Sequence, residues 1–382
     1  MKVLVLAPSL YDTSPGQRFR IELWARRLEG QGLDFTFAPF EDEALHQILY
    51  QRGRLIRKAS LMAAAFGRRL ALLPRARHFD VALLFREACL LGPPLIESLL
   101  VRQGLPLVFD FDDAIWVPYV SPANQYLSYL KCFWKTPRLC RISRHILAGN
   151  PYLAAYAHSF NPRVSIIPTT IDTDIYQVRS PAAPRDGVVT VGWTGSYSTV
   201  QHLDILRPAL QALRRRAPFR LMVLGTSSYP LEGVEVSARP WQAQSEVTDL
   251  QQFDIGIMPL PDDEWSRGKC GLKLLQCMAV GVPVIGSPVG VNGDIIQDGV
   301  NGFLAASDDE WVDKLSLLIA DPELRREMGR AGRRTVEERY SGQLWAPRVR
   351  EVLEEVASGR SRLDHGFSSP QGMPAARPRA PA

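Results

Sequence analysis

Short apolar runs alternate with longer segments of helical period along almost the whole chain. In the first half the runs are KVLVLAP, DFTFAPF, DVALLFR, LPLVFDF, HILAGN and VSIIPTT. In the second half they are VVTVGWTG, FRLMVLG, VEVSARP, FDIGIMPL and PVIGSPV. The runs are continuous rather than alternating, as expected of strands in a parallel sheet with helices on both faces. Helical stretches such as STVQHLDILRPALQALRRRA separate them. Two successive βαβ arrays predict an α/β protein of two doubly wound, Rossmann-like domains whose βα loops face a shared cleft. The stretch TTIDTDIYQVRSPAAPRDG breaks the pattern and marks the junction. We expect a first domain over 1–172, a second over 186–340, and a last helix over 341–358 that packs back toward the first. Residues 359–382, rich in Pro, Ala, Ser and Arg without apolar period, read as a disordered tail.

Composition narrows the class. A length of 382 residues suits two domains of ordinary size, and an apolar share of 46% allows a packed core in each. No run reaches the roughly 18 apolar residues of a membrane span. A strand explains MKVLVLAPSLYD better than a signal peptide does. Five cysteines in no paired or metal-type spacing point to a reducing compartment, so a cytoplasmic protein is expected.

The net charge of +5 conceals an asymmetry. Between Glu43 and Asp80 there is no acid, while Arg52, Arg54, Arg57, Lys58, Arg68, Arg69, Arg75 and Arg77 accumulate. Between Asp113 and Asp172 there is again no acid, but six cations. The first half therefore suits an anionic partner. LYQRGRLIRKASLMAAAFGRRLALL mixes cations with apolar residues as an interfacial helix does, so peripheral contact with the inner face of a membrane is one expectation. Soluble surface helices have the same composition, and that alternative stays open. No recognition motif accompanies the charge, so nucleic acid is not expected as a partner.

The sharpest chemistry lies in SRGKCGLKLLQCMAVGVPVIGSPVG, a hydrophobic segment with a cationic start. A helix beginning near Gly268 would set Lys269, Lys273 and Gln276 on one face. The plain alternative is a solvated helix face. Together with VSIIPTTIDTDIY, VGWTGSYSTVQHLDILRPAL, FRLMVLG and LQQFDIGIMPLPDDEW before it, and VNGDIIQDGVNGFLA after it, this segment resembles retaining glycosyltransferases of group 1 (family 4). The resemblance implies the two-domain GT-B fold and transfer of a sugar from a nucleoside diphosphate sugar, UDP- or GDP-linked. The acceptor would be a glycan, a lipid-linked molecule or a small molecule, in polysaccharide or glycolipid synthesis. It implies no cofactor beyond that co-substrate and no metal.

In that family the matching segment carries two glutamates in an E-x7-E pattern within EGFGLxxLEAMAxGxPVI. Here Gly268 and Gln276 stand at those positions, so both acids are missing. Gln276 can still hydrogen-bond a ribose, since an amide both donates and accepts. The implied donor-binding residues are Gly16, Gly195, Ser196, Lys269, Lys273, Gln276, Gly290, Val291 and Asn292. Family members commonly carry another basic pair in the loop matching GWTGSYST, but this chain has no Lys or Arg between Gly187 and Arg207. That places the leaving-group role on Lys273. A helix N-terminus with added lysines suits a diphosphate, and fixed charge there favours the transition state.

VFDFDDAIWV sets Asp110, Asp112 and Asp113 at the carboxyl end of a buried strand. They could orient an acceptor hydroxyl or stabilise the sugar cation, which makes Asp112 and Asp113 candidate catalytic residues and Asp110 an acceptor-side one. A metal-binding D-x-D reading conflicts with the family, and helix capping accounts for carboxylates equally well. Arg18 and Arg20, in the loop-to-helix segment after the first strand, are the other acceptor-side candidates. Two further readings stand beside transfer. One is a catalytically silent GT-B protein that binds nucleotide sugar or glycan, and the other is a sugar-nucleotide epimerase.

Overall fold

The computed structural model describes residues 1–49, 51, 53–118, 130–178, 187–195 and 199–359. Ser196, Arg52 and the tail from 360 onward lie outside the described residues. Two six-stranded, all-parallel sheets form the two halves. The first, in the order β2-β1-β3-β4-β5-β6, comprises β1 Lys2–Ala7, β2 Asp34–Pro39, β3 Val81–Phe85, β4 Leu107–Phe111, β5 His145–Ala148 and β6 Val164–Ile166. The second, in the order β12-β11-β10-β7-β8-β9, comprises β7 Val189–Thr194, β8 Phe219–Leu224, β9 Glu235–Arg239, β10 Ile255–Met258, β11 Val284–Gly286 and β12 Gly302–Leu304. Eleven of the strands coincide with the apolar runs. The sequence reading lacked β12, because GFL is only three residues long and begins with glycine.

The central strands are buried on both faces, which is why their sequences are apolar without alternation. β3 and β4 are buried at every residue, and so is β7. Pro15–Gln17, a π-turn Arg18–Glu22 and Leu23–Leu28 run on as one helix, α1. Helix α2, Leu55–Leu72, covers the β1–β3 region through Ala65, Phe66 and the fully buried Arg69. Helix α3, Leu272–Ala279, packs between β10 and the Pro322–Arg339 helix. The last helix, α4 (Gly342–Ala357), lies on α1, β3 and β4 of the first sheet, burying Val349, Val352 and Leu353. The chain thus crosses between the halves twice. The two crossings are tied together where Ile171 N–H donates to Tyr340 O at 2.8 Å and Gly342 N–H donates to Ile171 O at 2.9 Å.

Among the described residues no helix is long and apolar enough to cross a membrane. The basic segment does form a helix, but its cations divide. Arg69 turns inward, donating to the carbonyls of Ala88, Ala38 and Ala7. Arg68 pairs with Asp42, and Lys58 donates to Gln51 O. Arg54, Arg57, Arg75 and Arg77 are exposed beside Leu55, Leu70 and Ile56, the last 89% exposed.

Candidate functional site

Each sheet has one point where strand order reverses: between β1 and β3 in the first, and between β7 and β10 in the second. Loops at the carboxyl ends of those strands diverge there and leave a crevice for ligands. Hydrogen bonds between the halves join the two crevices. Asn150 Nδ2 donates to the carbonyls of Gly268 and Lys269 at 3.0 and 3.1 Å. Trp116 Nε1 donates to Glu264 Oε1 at 2.9 Å. Lys269 Nζ lies 2.8 Å from Asp113 Oδ1.

On the first sheet, Arg86 organises the carboxylates. Its Nε donates to Asp112 Oδ1 at 2.7 Å and its Nη2 to Asp113 Oδ2 at 2.6 Å. Burial alone would raise the Asp113 carboxyl pKa, but Lys269 and Arg86 outweigh it and hold Asp113 below the usual carboxylate range. Arg86 itself has φ +56°, a left-handed conformation that residues other than glycine adopt uncommonly. Gly16 packs directly on this pair. A Cβ there would collide with Asp112 Oδ2 and come within 2.8 Å of Arg86 Nη2. The sequence reading missed Arg86. The available signal was a lone cation ending the buried strand DVALLFR at the switch point.

Two acceptor-side expectations are corrected. Arg20 and Asp110 are both fully buried and pair with each other, with Arg20 Nη1 also donating to Ile167 O at 2.6 Å and its guanidinium over Trp24. The π-turn in α1 and the alternation of β4 turn these side chains into the domain interior, so neither can meet a ligand. Arg18 does reach the cleft, where it bridges Asp12 of its own domain (2.7 Å) and Glu246 of the other (2.9 Å).

On the second sheet the cationic segment differs from a single helix starting near Gly268. The short helix Glu264–Arg267 ends there, Gly271 takes φ +70°, and α3 begins at Leu272. Lys269 lies in the connection, so Lys269, Lys273 and Gln276 do not form one stripe. Gly268 presses against the other domain, where a Cβ would lie 2.7 Å from both the Ala114 Cβ and its backbone nitrogen. A glutamate side chain at this position has no room in this packing. The Gly268 N–H is also taken, by Trp265 O at 3.1 Å.

Gln276 is held on an internal carboxylate. It is buried, and its Nε2 donates to Glu246 Oε1 at 2.9 Å. Glu246 also accepts from Trp241 Nε1, Tyr176 O–H and Arg18 Nη1 at 2.9, 2.6 and 2.9 Å. A second glutamate at 276 would face that carboxylate, whereas an amide donates to it. Beside this node lies a cavity of about 260 Å³ lined by Tyr11, Arg18, Glu22, Tyr176 and Glu246. Glu246 was not legible in the sequence as a site residue.

Lys273 occupies the second position of α3, half-buried, with Nζ 5.3 Å from the Trp193 ring centre. Among the described residues it has no ion-pair partner. Burial and the nearby Lys269 lower its pKa to about 8, against the pull of Asp113. The first bond of the helix is Leu275 N–H to Gly271 O, so the N–H groups of Leu272, Lys273 and Leu274 have no backbone partner among the described residues. His202, in the 3₁₀ turn after β7, is buried with Nδ1 unpartnered among the described residues. Burial, then Lys273 and Lys269, lower its pKa to about 4, so it stands neutral. Gly195 lies against Trp193, and Thr199 precedes the 3₁₀ turn without a side-chain cap bond. In the facing loop, Gly290 packs on the Arg267 carbonyl and Val291 caps the Asn292–Ile295 helix. Asn292 is buried, with Nδ2 braced on Ser287 O at 3.0 Å and Oδ1 unpartnered. Among the described residues no group of His, Cys, Asp and Glu could hold a metal ion.

This arrangement presents a helix end, two lysines and a neutral imidazole on one wall, and two oriented carboxylates on the other. Residues 188–321 match the family described as glycosyl transferases group 1. A D-inositol 3-phosphate glycosyltransferase of Segniliparus rotundus is 25% identical over 205 residues, 47% of this chain and 44% of that protein. An N-acetyl-α-D-glucosaminyl L-malate synthase of Bacillus anthracis is 40% identical over 99 residues, 25% of each chain. The chain therefore matches less than half the length of these curated relatives. Among solved structures, sucrose-phosphate synthase of Thermosynechococcus elongatus superposes with TM-score 0.68 at 13% identity, over 94% of this chain and 99% of that one. Anabaena HepE, in complex with UDP and glucose, superposes with TM-score 0.66 at 17% identity, over 93% and 100%. The chain has the GT-B fold, and within its second half residues 188–321 match the group 1 glycosyltransferase family.

Proposed function

We propose that the protein is a retaining, metal-independent glycosyltransferase of family 4, using a UDP- or GDP-linked sugar. The observation that carries this is Lys273, a half-buried cation with no ion-pair partner among the described residues, at a helix end whose first N–H groups have no backbone partner among them, where the two switch points meet. A diphosphate fits that charge and those donors. In the transfer, the bond from the anomeric carbon to the diphosphate oxygen breaks, and its electron pair stays on the phosphate. Lys273 and the helix end stabilise that charge as it develops. The acceptor hydroxyl attacks from the face the diphosphate leaves, passing its proton to the departing phosphate oxygen, and the configuration is kept. Asp112 and Asp113 lie across the cleft, where carboxylates orient that hydroxyl and stabilise the oxocarbenium-like sugar.

The acceptor is a glycan, lipid-linked or small molecule, in surface polysaccharide or glycolipid synthesis. Two relatives are named for inositol 3-phosphate and malate, both anionic, and the basic first domain suits such acceptors. The exposed arginines and apolar residues at α2 support peripheral contact with anionic lipid at the cytoplasmic face of a membrane. A second reading, a silent binder of nucleotide sugar or glycan, is favoured by one observation: Gln276 is tied to Glu246 rather than free. A thermal-shift and hydrolysis panel with UDP-, GDP- and ADP-sugars, without metal, tests these readings. Stabilisation by one donor with slow release of its nucleoside diphosphate is expected. Stabilisation without release, even with acceptors present, would favour the silent binder, and no stabilisation would end the transferase reading and leave only a binder of glycan.

A further inference from the structure

Asp113 is the only described carboxylate that bridges the two halves to a lysine of the cationic segment. Its Oδ2 accepts from Arg86 Nη2 at 2.6 Å and its Oδ1 lies 2.8 Å from Lys269 Nζ, so each oxygen is held by a cation from a different domain. Lys273 adds its field from α3. Asp113 is thus an anion set among three cations at the point where both switch loops open. The two bonds differ in how firmly they are made. Arg86 is a planar fork already anchored to Asp112, whereas Lys269 is a single ammonium on a flexible stem, backed by the Trp265 ring at 4.6 Å. Lys269 is the partner that can change anions without rearranging the first domain.

We propose that Asp113 is the internal counter-ion of Lys269, that the second phosphoryl group of the donor takes its place, and that this exchange offsets part of the affinity which that second phosphoryl group would otherwise add. The inference rests on the reading above, that a nucleoside diphosphate binds at α3. A monophosphate satisfies Lys273 and the helix end and leaves the Asp113–Lys269 pair intact. A diphosphate reaches further, so its second phosphoryl group pairs with Lys269 and Asp113 is left to Arg86 alone. Asp113 then raises the threshold for binding, because the gain from the second phosphoryl group is set against the ion pair it replaces. The freed carboxylate, still held by Arg86, is then an anion available to an oxocarbenium-like charge in the cleft. One residue therefore limits diphosphate affinity in the empty protein and is available to the reaction once the donor is bound.

The test is calorimetric titration of the full chain with UDP, GDP and ADP and with the matching monophosphates, in the wild type, Asp113→Asn and Lys269→Met. Asp113→Asn should bind the preferred diphosphate about tenfold more tightly and its monophosphate with wild-type affinity. Lys269→Met should lose about tenfold for the diphosphate and nothing for the monophosphate. Equal tightening of both ligands in Asp113→Asn would mean bulk electrostatics and would overturn the exchange. Unchanged or weaker diphosphate binding would overturn it too. If Asp113→Asn does not fold, Lys269→Met decides alone, since equal loss for both ligands contradicts the proposal. Failure of all three diphosphates to bind the wild type would instead remove the donor reading beneath it.

Discussion

Replacing Lys273 by methionine should separate function from stability. The folded protein holds this ammonium partly out of water, beside Lys269, with only the more distant Asp113 to favour it, and its pKa drops from 10.5 to about 8. At about 1.4 kcal/mol per unit, that drop corresponds to about 3 kcal/mol of destabilisation whenever the lysine is charged in both states. Solvent reaches part of the side chain, so roughly half of that survives screening. The attraction to Trp193 offsets about 0.5–1 kcal/mol more. Lys273→Met keeps the stem and removes the charge, so it should stabilise the protein by about 1 kcal/mol at pH 7. In a protein of 382 residues that raises the midpoint by about 1–2 °C.

The sign of the pH dependence follows. The lysine binds its proton less tightly folded than unfolded, so its cost is fully present below about pH 8 and fades as pH rises toward 10.5. The advantage of the variant should shrink over that window. Nucleoside diphosphate binding to the wild type should weaken above pH 8 as the lysine loses its charge, and in the variant it should be lost at every pH. Paired thermal melts across pH 7–10.5, with calorimetry for the nucleotide, read all of these. A variant that is less stable than wild type at pH 7 and still binds would refute both the electrostatics and the assignment of Lys273.

Other substitutions test the replaced motif and the lipid-facing surface. Gly268→Glu restores the family's residue but drives a side chain into Ala114, so it should cost about 1–3 kcal/mol in denaturant unfolding and gain no activity. Activity above wild type would show that the cleft opens there freely. Gln276→Glu sets a second carboxylate against Glu246 and should destabilise at pH 7.5, with the loss easing toward pH 5 as one carboxyl takes a proton. A deficit that does not change between these two pH values would count against that like-charge contact. Neutralising Arg54, Arg57, Arg75 and Arg77 together should lower co-sedimentation with anionic liposomes severalfold, most at low salt. Equal sedimentation before and after would exclude this surface.

The amino-acid pattern alone determined the two parallel sheets, because strands buried on both faces must be apolar throughout, and that signature is local. It also determined which βα loops carry cations, glycines and carboxylates, since strand ends can be read from where each apolar run stops. Lys273 and Asp113 became candidates in this way. The tertiary structure alone decided which of these groups meet. Arg20 and Asp110 look like cleft residues in sequence and are a buried pair in space, because their facing depends on a π-turn and on strand register. Gln276 looks like a degraded glutamate until Glu246, thirty residues earlier, is seen beside it. Gly268 looks like a loss until Ala114 is found 2.7 Å from its missing Cβ. Arg86 gains its role only when β3 and β4 pair. Burial and periodicity are properties of neighbouring residues, whereas charge pairing across a cleft is a property of the packed chain.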